Sequence, residues 1–353
     1  MKRIPTLDGW RGIAIALVMI EHTQGALLGR CFRPWTQTGQ HGVTVFFVLS
    51  GFLITSKLLE GPIDLKRFYV RRLFRLMPVA WVYLFAVWSF GLMGGQHWFS
   101  RNEIASCLFF YRNFFFHGLT LFAAHFWSLS MEEQFYIAWP SLLLLAGTRN
   151  AKWIAIGGAL ACASFRLMNW SHYDCLWLSF ETQVRADALL VGCLTAILLE
   201  NPAFRSIATR WSRVWALPAL AVVLFCIYRF HWLPPLTECV ALAGLIAASV
   251  LHPRSIFARP LSFPPLAWLG TVSYSVYVWQ QFFFAYRGET VTLVMICLMP
   301  LFALGSYYWI ERPFTRFGHS LTNAPSPKTS TANAVVAIKT GTDPNDRPAN
   351  NWS

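Results

Sequence analysis

The chain has 353 residues, of which 56% are apolar and 13% are charged, and its formal net charge is +13. Soluble domains usually contain about a quarter charged residues, so this composition excludes an ordinary soluble protein. A surplus of Lys and Arg is expected in the cytoplasmic loops of membrane proteins. We therefore read the charge as a topology signal and predict no nucleic-acid partner.

The apolar runs predict an all-α polytopic membrane protein, a bundle of about ten transmembrane helices, because each run approaches the ~20 residues that cross a bilayer core. The predicted spans are 12–29, 42–59, 76–94, 127–147, 152–169, 182–199, 214–230, 236–251, 267–286 and 290–309. With a cytoplasmic N-terminus, the inner connecting segments hold 18 Lys and Arg and the outer segments hold six. This bias favours an even number of spans, with both termini cytoplasmic.

Two segments outside these spans have a distinct composition. Residues 104–116, within the connection 95–126, are apolar but too few to cross, so we expect an interfacial or re-entrant helix there. Beyond residue 317 the chain is rich in Thr, Asn, Pro, Ser and Ala, which bury little apolar surface. We therefore predict a membrane domain of residues 1–317 and a disordered cytoplasmic tail of residues 318–353.

The eight cysteines show no CxxC pairing and lie mostly in or beside apolar runs. We interpret them as small buried apolar residues and predict no metal site. Cys31, Cys107, Cys175 and Cys239 lie nearer the ends of the spans, and a disulfide among them stays open at this point.

Two polar residues of the first span share one helix face. Arg11 and His22 are eleven positions apart, which is about three turns and ~16 Å of helix. His22 would then lie near the bilayer midplane, where an ionisable side chain is a candidate functional group and an imidazole can take and return a proton. A hydrogen bond to a neighbouring helix is the alternative for His22, and a local ion pair with Asp8 is the alternative for Arg11.

A basic cluster precedes the third span on the predicted cytoplasmic side. Lys66, Arg67, Arg71, Arg72 and Arg75 lie within ten positions, and the spacing of the last three places their guanidiniums side by side on a helix. Membrane anchoring explains one or two of these cations. Five suit a ligand with several phosphates, because Arg binds phosphate through two parallel N–H groups. Anionic lipid headgroups are the alternative ligand.

Two further pairs of charged residues lie inside spans. Glu132 and Glu133 stand five or six residues inside the fourth span, where at least one should face the bundle interior and be paired or protonated. A purely structural salt bridge is the alternative. Arg185 and Asp187 lie near the outer end of the sixth span. Because they are two residues apart on a helix, we expect each to find its partner elsewhere in the bundle.

Taken together, these pieces resemble acyltransferase family 3, the integral-membrane O-acyltransferases that modify bacterial surface glycans and some secondary metabolites. The resemblance extends from residue 7 to about residue 313. It rests on seven motifs in order, namely LDGWRGIAIALVMIEH (7–22), GVTVFFVLSGFLIT (42–55), RRLFRLMP (71–78), FWSLSMEEQFYIAWP (126–140), RADALLVG (185–192), SYSVYVWQ (273–280) and IERPF (310–314). One position departs from the family, since Gln280 stands where histidine is common and glutamine cannot titrate.

The resemblance implies transfer of an acyl group, usually acetyl, from cytoplasmic acyl-CoA to a hydroxyl of a surface polysaccharide, lipid-linked glycan or similar acceptor. Acyl-CoA is then a co-substrate, no bound cofactor is expected, and the location is a bacterial inner membrane. The implied acyl-CoA-binding residues are Arg71, Arg72 and Arg75. The implied catalytic residues are His22, Arg11, Glu132 and Glu133, and the supporting residues are Asp8, Ser50, Trp127, Ser128, Arg185 and Asp187.

Three of these roles are specific expectations. His22 acts as general base or as a transient acyl carrier, Glu132 orients His22, and Arg185 stabilises the thioester oxyanion. A glycolipid transporter or flippase is the main alternative, because intramembrane Arg, His and Glu are also natural there. Such a protein usually shows paired halves, and we find no convincing internal repeat. A membrane sensor or scaffold with structural polar residues is a further alternative.

Overall fold

The structure, a computed structural model, describes residues 4–27, 38–95, 98–115, 120–169, 180–228, 235–284 and 293–323. These residues form α-helices joined by short turns, and no strand occurs among them. The helices are α1 (Pro5–Leu27), α2 (Thr38–Leu59), α3 (Leu65–Met93), α4 (Arg101–Leu108), α5 (Phe126–Met168), α6 (Thr182–Glu200), α7 (Pro202–Tyr228), α8 (Pro235–Leu251), α9 (Pro264–Phe284), α10 (Leu293–Ser306) and α11 (Arg312–Asn323). The all-α class predicted from composition is confirmed for this part of the chain.

Six helical stretches are long and apolar enough to cross a membrane. They are Thr38–Leu59, Leu65–Met93, Leu121–Met168, Thr182–Glu200, Pro202–Tyr228 and Val294–Asn323. By length and composition, the described part of the chain is thus that of a multi-pass membrane protein. The count of ten spans and the cytoplasmic position of both termini stay predictions.

Each of the ten predicted spans falls on a helix, although several boundaries differ. Residues 127–147 and 152–169 both belong to α5, which Gly147 interrupts with a φ of 68°. Glycine adopts this left-handed conformation without a steric penalty, so it separates the two predicted spans. Helices α1 and α3 begin at Pro5 and Leu65, well before the predicted starts. The predicted spans begin directly after Arg11 and Arg75, but both arginines lie within the helices and line an internal cavity.

The predicted start of the tail at residue 318 is wrong, because α11 continues to Asn323. The ring of Phe317 packs against that of Phe74 on α3 at a centroid distance of 5.3 Å. The guanidinium of Arg71 donates to the Thr322 hydroxyl at 2.8 Å. The polar composition of this segment gave no signal for α11, which contacts the basic start of α3. Residues 324–353 lie outside the described residues.

Close contacts between helix backbones fix the centre of the bundle. A Cβ added to Gly192 of α6 would lie 2.1 Å from the Val48 carbonyl oxygen of α2. A Cβ on Gly270 of α9 would lie 1.8 Å from the Asp8 carbonyl oxygen of α1. Small residues let membrane helices approach this closely and pack well without a hydrophobic driving force. These glycines therefore fix the spacing of α2 against α6 and of α1 against α9.

The connection 95–126 contains the short helix α4 and two 3₁₀ turns. Eight residues of helix span only about 12 Å, so α4 cannot cross a bilayer. The buried carboxylate of Glu103 holds the segment together, since it accepts from Arg112 at 3.3 Å and from the Thr120 amide at 2.8 Å. A short helix that does not cross agrees with the prediction for this segment.

Two of the four cysteines left open for a disulfide are described, and both Cys107 and Cys239 are free and buried. Cys31 and Cys175 lie outside the described residues. The interpretation of the cysteines as buried apolar residues is confirmed for five of the described cysteines, namely Cys107, Cys162, Cys193, Cys226 and Cys239. It is wrong for Cys297, which is exposed on the apolar helix α10.

Candidate active site

A large basic cavity of about 840 Å³ opens at one end of the bundle. It lies between the start of α1, the end of α2, the start of α3 and the start of α11. Its lining cations are Arg11, Lys57, Arg67, Arg71, Arg72, Arg75, Arg312 and Arg316, and its lining carboxylates are Asp8, Glu60, Asp64 and Glu311. The excess of guanidinium groups makes this space, here called the basic cavity, suitable for an anion with several charges.

The three arginines predicted to bind acyl-CoA all line the basic cavity, but they differ in their contacts. Arg71 bonds to α11, where its guanidinium also donates to the Asn323 side-chain oxygen at 2.7 Å. The guanidinium carbon of Arg72 lies 3.9 Å from the centroid of the Tyr136 ring. Arg72 and Arg75 also line a second, deeper space. Only these two of the three therefore reach from the cavity into the bundle.

The deeper space is a small cavity of about 70 Å³, here called the neck. Arg11, Arg72 and Arg75 line both the neck and the basic cavity. Ser128 and Tyr277 line the neck as well. Three guanidinium groups thus stand where the wide basic cavity narrows into the bundle.

Glu132 supplies the counter-charge in the neck. Its Oε1 accepts hydrogen bonds from the hydroxyls of Ser50 and Tyr136. The positive charges that attract this carboxylate are those of Arg72, Arg11 and Arg75. A carboxylate held by two hydroxyls among guanidiniums is a positioned counter-ion. Ser50 contacts Glu132 in this way, and its supporting role stays a prediction.

Two other predicted carboxylates lie beside the neck arginines. Asp8 forms an ion pair with Arg11 at 3.7 Å, which confirms the local pair that the spacing suggested. Glu133 is buried, and its Oε1 has no hydrogen-bond partner among the described residues. Arg72 is its main charged neighbour. Asp8 and Glu133 thus lie close to the positive charges of Arg11 and Arg72, respectively.

His22 lies three helical turns beyond Arg11 along α1. Its Nδ1 is 2.8 Å from the Val18 carbonyl oxygen. Since a carbonyl only accepts, Nδ1 carries the proton, and Nε2 is the nitrogen that can take up another. The described hydrogen bonds of Glu132 go to Ser50 and Tyr136, so its expected pairing with His22 stays a prediction that these contacts do not support. The attraction of a carboxylate to three guanidiniums draws Glu132 to the neck instead.

A second histidine, His125, lies next to the neck, since its ring packs against Tyr277. Its electrostatic neighbours include His22. Its ring packs against those of Tyr83, Phe126 and Tyr277 at centroid distances of 5.3, 4.9 and 5.5 Å. Sequence reasoning assigned His125 no role, although it stands directly before the motif that contains Glu132.

Ser128 joins the neck to this histidine. The hydroxyls of Ser128 and Tyr277 are 2.5 Å apart, and both lie 3.1 Å from the His125 carbonyl oxygen. The implied supporting role of Ser128 therefore has a structural basis. Tyr277 belongs to the motif at 273–280, and its reach into the neck could not be read from that motif alone.

Arg185 and Asp187 of α6 have different partners in the structure, as expected from their spacing. Asp187 accepts from Arg166 of α5 at 2.5 Å, a buried ion pair between two helices. Arg185 instead donates to Gln40 and Thr44 of α2 and lies over the ring of Trp127. Neither Arg185, Asp187 nor Trp127 lines the basic cavity or the neck. The expected role of Arg185 at the thioester oxyanion therefore finds no support in its position.

Gln280, the departure from the family pattern, is completely buried in α9. Neither polar atom of its amide has a hydrogen-bond partner among the described residues. Its neighbour Trp279 packs against Tyr83 at a centroid distance of 5.5 Å, and Tyr83 in turn contacts His125. Gln280 thus lies next to a residue of the aromatic wall around His125.

The fold and the site together define a helical membrane protein in which a basic cavity and a smaller neck share three lining arginines. The buried ring of His125 packs against Tyr277 of the neck, and the half-buried His22 lies farther along α1 than Arg11. The family model for the acyltransferase domain, acyltransferase family 3, matches residues 4–311. The chain therefore belongs to this family of acyltransferase enzymes.

Curated relatives share between 29% and 31% identity with the chain. The peptidoglycan O-acetyltransferase OatA of Listeria monocytogenes is 30% identical over 312 residues, which cover 79% of this chain and 49% of the relative. The putative peptidoglycan O-acetyltransferase YrhL of Bacillus subtilis is 29% identical over 360 residues, 90% of this chain and 56% of the relative. A putative O-acetyltransferase of Staphylococcus aureus is 31% identical over 363 residues, 90% of this chain and 58% of the relative.

The chain spans about half the length of the curated relatives it matches. No solved structure matches it.

Proposed function

We propose that this protein is an integral-membrane O-acyltransferase that moves an acetyl group from cytoplasmic acetyl-CoA to a hydroxyl of a cell-wall glycan. The observation that carries the proposal is the shared lining of the two spaces. Arg11, Arg72 and Arg75 face both the basic cavity and the neck, and the neck ends at the Ser128 and Tyr277 hydroxyls beside His125. The similarity to peptidoglycan O-acetyltransferases suggests the acetyl group and peptidoglycan as the acceptor to be tested.

The basic cavity suits the nucleotide part of acyl-CoA. Eight cations line it, and guanidinium groups bind phosphate oxygens through parallel N–H donors. The pantetheine arm of the donor would be ~15–20 Å long by chain geometry. Arg11 and His22 are about 16 Å apart along α1. An arm that enters at the neck arginines would thus bring its thioester to the depth of His22.

His22 would act as the general base. Its Nδ1 proton is held by the Val18 carbonyl, so Nε2 takes the proton of the acceptor hydroxyl as the oxygen attacks the thioester carbonyl. The new C–O bond forms as the C–S bond breaks, and the imidazolium then returns its proton to the departing CoA thiolate. The products are the O-acetyl ester and CoA, and His22 ends in its starting state. Transfer through an acetyl-imidazole at His22 gives the same products in two steps.

The neck acids would position the cations rather than His22. Glu132, held by Ser50 and Tyr136, would supply negative charge near the Arg72 guanidinium, which lies over the Tyr136 ring. Asp8 would hold Arg11 through their ion pair. In this arrangement the arginines lie at the entry to the bundle, where they would bind the phosphates of the acyl-CoA donor. We place the basic end in the cytoplasm of a bacterial inner membrane, because the donor is a cytoplasmic metabolite and basic loops stay inside.

Membranes from cells with and without the gene, incubated with radiolabelled acetyl-CoA and peptidoglycan fragments, test the proposal. We expect label in the glycan only when the protein is present. We expect none with His22→Ala at unchanged protein level. His252→Ala is the matched control, since His252 bonds to the Thr209 carbonyl and lies outside both spaces.

Two results would contradict the proposal. Full transfer by His22→Ala would remove this histidine from the chemistry. Movement of glycolipid across the membrane without any acetyl label would favour the transporter alternative.

A further inference from the structure

Arg185 is a half-buried cation whose hydrogen bonds go only to neutral groups. One terminal nitrogen donates to the Gln40 side-chain oxygen at 3.0 Å. The other donates to the Gln40 carbonyl at 3.3 Å and to the Thr44 hydroxyl at 3.0 Å. A guanidinium has five N–H donors, so two of them are not used by the described residues.

Two buried arginines of the described chain have a carboxylate partner. Arg112 pairs with Glu103 at 3.3 Å, and Arg166 pairs with Asp187 at 2.5 Å. Among the described residues Arg185 has no carboxylate within ion-pair distance, although it lies two residues from Asp187. Keeping a guanidinium out of water without a counter-ion is costly, and such a cation suits an anionic ligand.

The guanidinium of Arg185 lies over one aromatic ring. Its central carbon lies 5.7 Å from the centroid of the Trp127 ring. That ring stacks on Phe180 at a centroid distance of 4.7 Å and an interplanar angle of 30°. Stacking on an aromatic face orients the planar donor group and leaves its edge for a ligand.

Arg185 lies at the level of His22 and far from the basic cavity. The Thr38 hydroxyl donates to the Leu17 carbonyl at 3.2 Å, and the Gly39 amide donates to Glu21 at 2.6 Å. Gln40, the partner of Arg185, follows directly in α2. Along α2, Gln40 is about 25 Å from the cavity residue Lys57.

We propose that Arg185 binds an anionic group of the acceptor, a carboxylate or a phosphate, and so presents the acceptor hydroxyl near His22. This inference rests on the proposed function and deepens it, because it adds an acidic acceptor glycan and names the residue that selects it. Arg185 lines neither space assigned to the donor, which separates its role from that of Arg72 and Arg75. Trp127 and Gln40 are then positioning residues.

Steady-state transfer with paired acceptors tests the role of Arg185. One acceptor is a peptidoglycan fragment with free carboxylates, and its partner is the same fragment with the carboxylates converted to methyl esters. For the wild type we expect the ester to have an acceptor KM roughly ten- to a hundredfold higher, as for the loss of a charge-assisted pair. For Arg185→Gln we expect similar KM values for both acceptors. Arg185→Lys should keep part of the preference, and Gln183→Ala, an exposed neighbour, should keep all of it.

A phosphate-bearing glycan fragment and its dephosphorylated form distinguish the two sources of negative charge. A preference for the phosphorylated form that disappears in Arg185→Gln assigns the residue to phosphate. Equal loss of activity toward charged and neutral acceptors in Arg185→Gln, or a change confined to the acetyl-CoA KM, would overturn the inference.

Binding of the same acceptors to purified wild-type protein without acetyl-CoA separates this inference from the proposed function. Tighter binding of the acidic form, lost in Arg185→Gln, supports the inference even when no transfer is seen. A wild type that binds acidic and neutral acceptors equally refutes it, whatever the rate of transfer.

Discussion

Replacement of Arg72 by alanine is expected to weaken acetyl-CoA binding with little effect on the chemical step. Arg72 lines both the basic cavity and the neck, and its guanidinium lies on the Tyr136 ring, away from His22. A hydrogen bond to a charged group contributes about 1.5–3 kcal/mol. Because about 1.4 kcal/mol corresponds to a factor of ten in affinity, the acetyl-CoA KM should rise about 10- to 150-fold. The value of kcat should stay within about twofold.

The assay is acetyl transfer in inverted membrane vesicles, with acetyl-CoA varied at saturating acceptor. Lys66→Ala is the matched control, because it removes a cation from the same helix at an exposed position outside the cavity. Arg72→Lys keeps the charge beside Glu132 and should give an intermediate KM, since lysine lacks the planar fork. The melting temperature of each variant in detergent reports folding. A fall in kcat at unchanged KM, in a folded Arg72→Ala protein, would refute a donor-binding role.

Three further substitutions test packing and the site. Gly192→Ala should lower the melting temperature or prevent folding, because its Cβ would meet the α2 backbone at 2.1 Å, whereas Gly157→Ala, with nothing within 4 Å, should be neutral. Asp187→Asn should destabilise the protein by about 3–5 kcal/mol in denaturant unfolding, since it leaves Arg166 buried without a counter-ion; a change below about 1 kcal/mol would contradict this. Gln280→His should keep transfer within about threefold, because the amide makes no hydrogen bond in the described structure; loss of activity in a folded variant would reveal an undescribed partner.

The helices and the basic cavity were largely predictable, because both depend on local patterns. Apolar length located every predicted span on a helix, and the spacing of Arg71, Arg72 and Arg75 placed all three along one cavity. The local Asp8–Arg11 pair was predictable for the same reason, since residues three apart on a helix face each other. The roles of these residues in binding and catalysis stay predictions.

The partners across helices were not predictable from one sequence. Glu132 was expected at His22 on grounds of depth, but its position depends on which face of α5 meets α3. Tyr277 and His125 are 152 residues apart in the chain and become neighbours only through the packing of α9 on α5. The contact of Arg71 with Thr322 spans 251 residues. Such contacts depend on how the helices pack, and no local spacing in the sequence indicates them.

The arginines of the neck have a consequence for the membrane itself. A protein that opens a deep cavity for a large thioester thins the barrier between two aqueous compartments and invites leakage of protons. Three fixed guanidiniums at the narrowest described point create a positive potential that repels hydronium and metal cations while it attracts the anionic donor. The same side chains that we assign to the donor would therefore let a cell keep its proton gradient while the active site stands open.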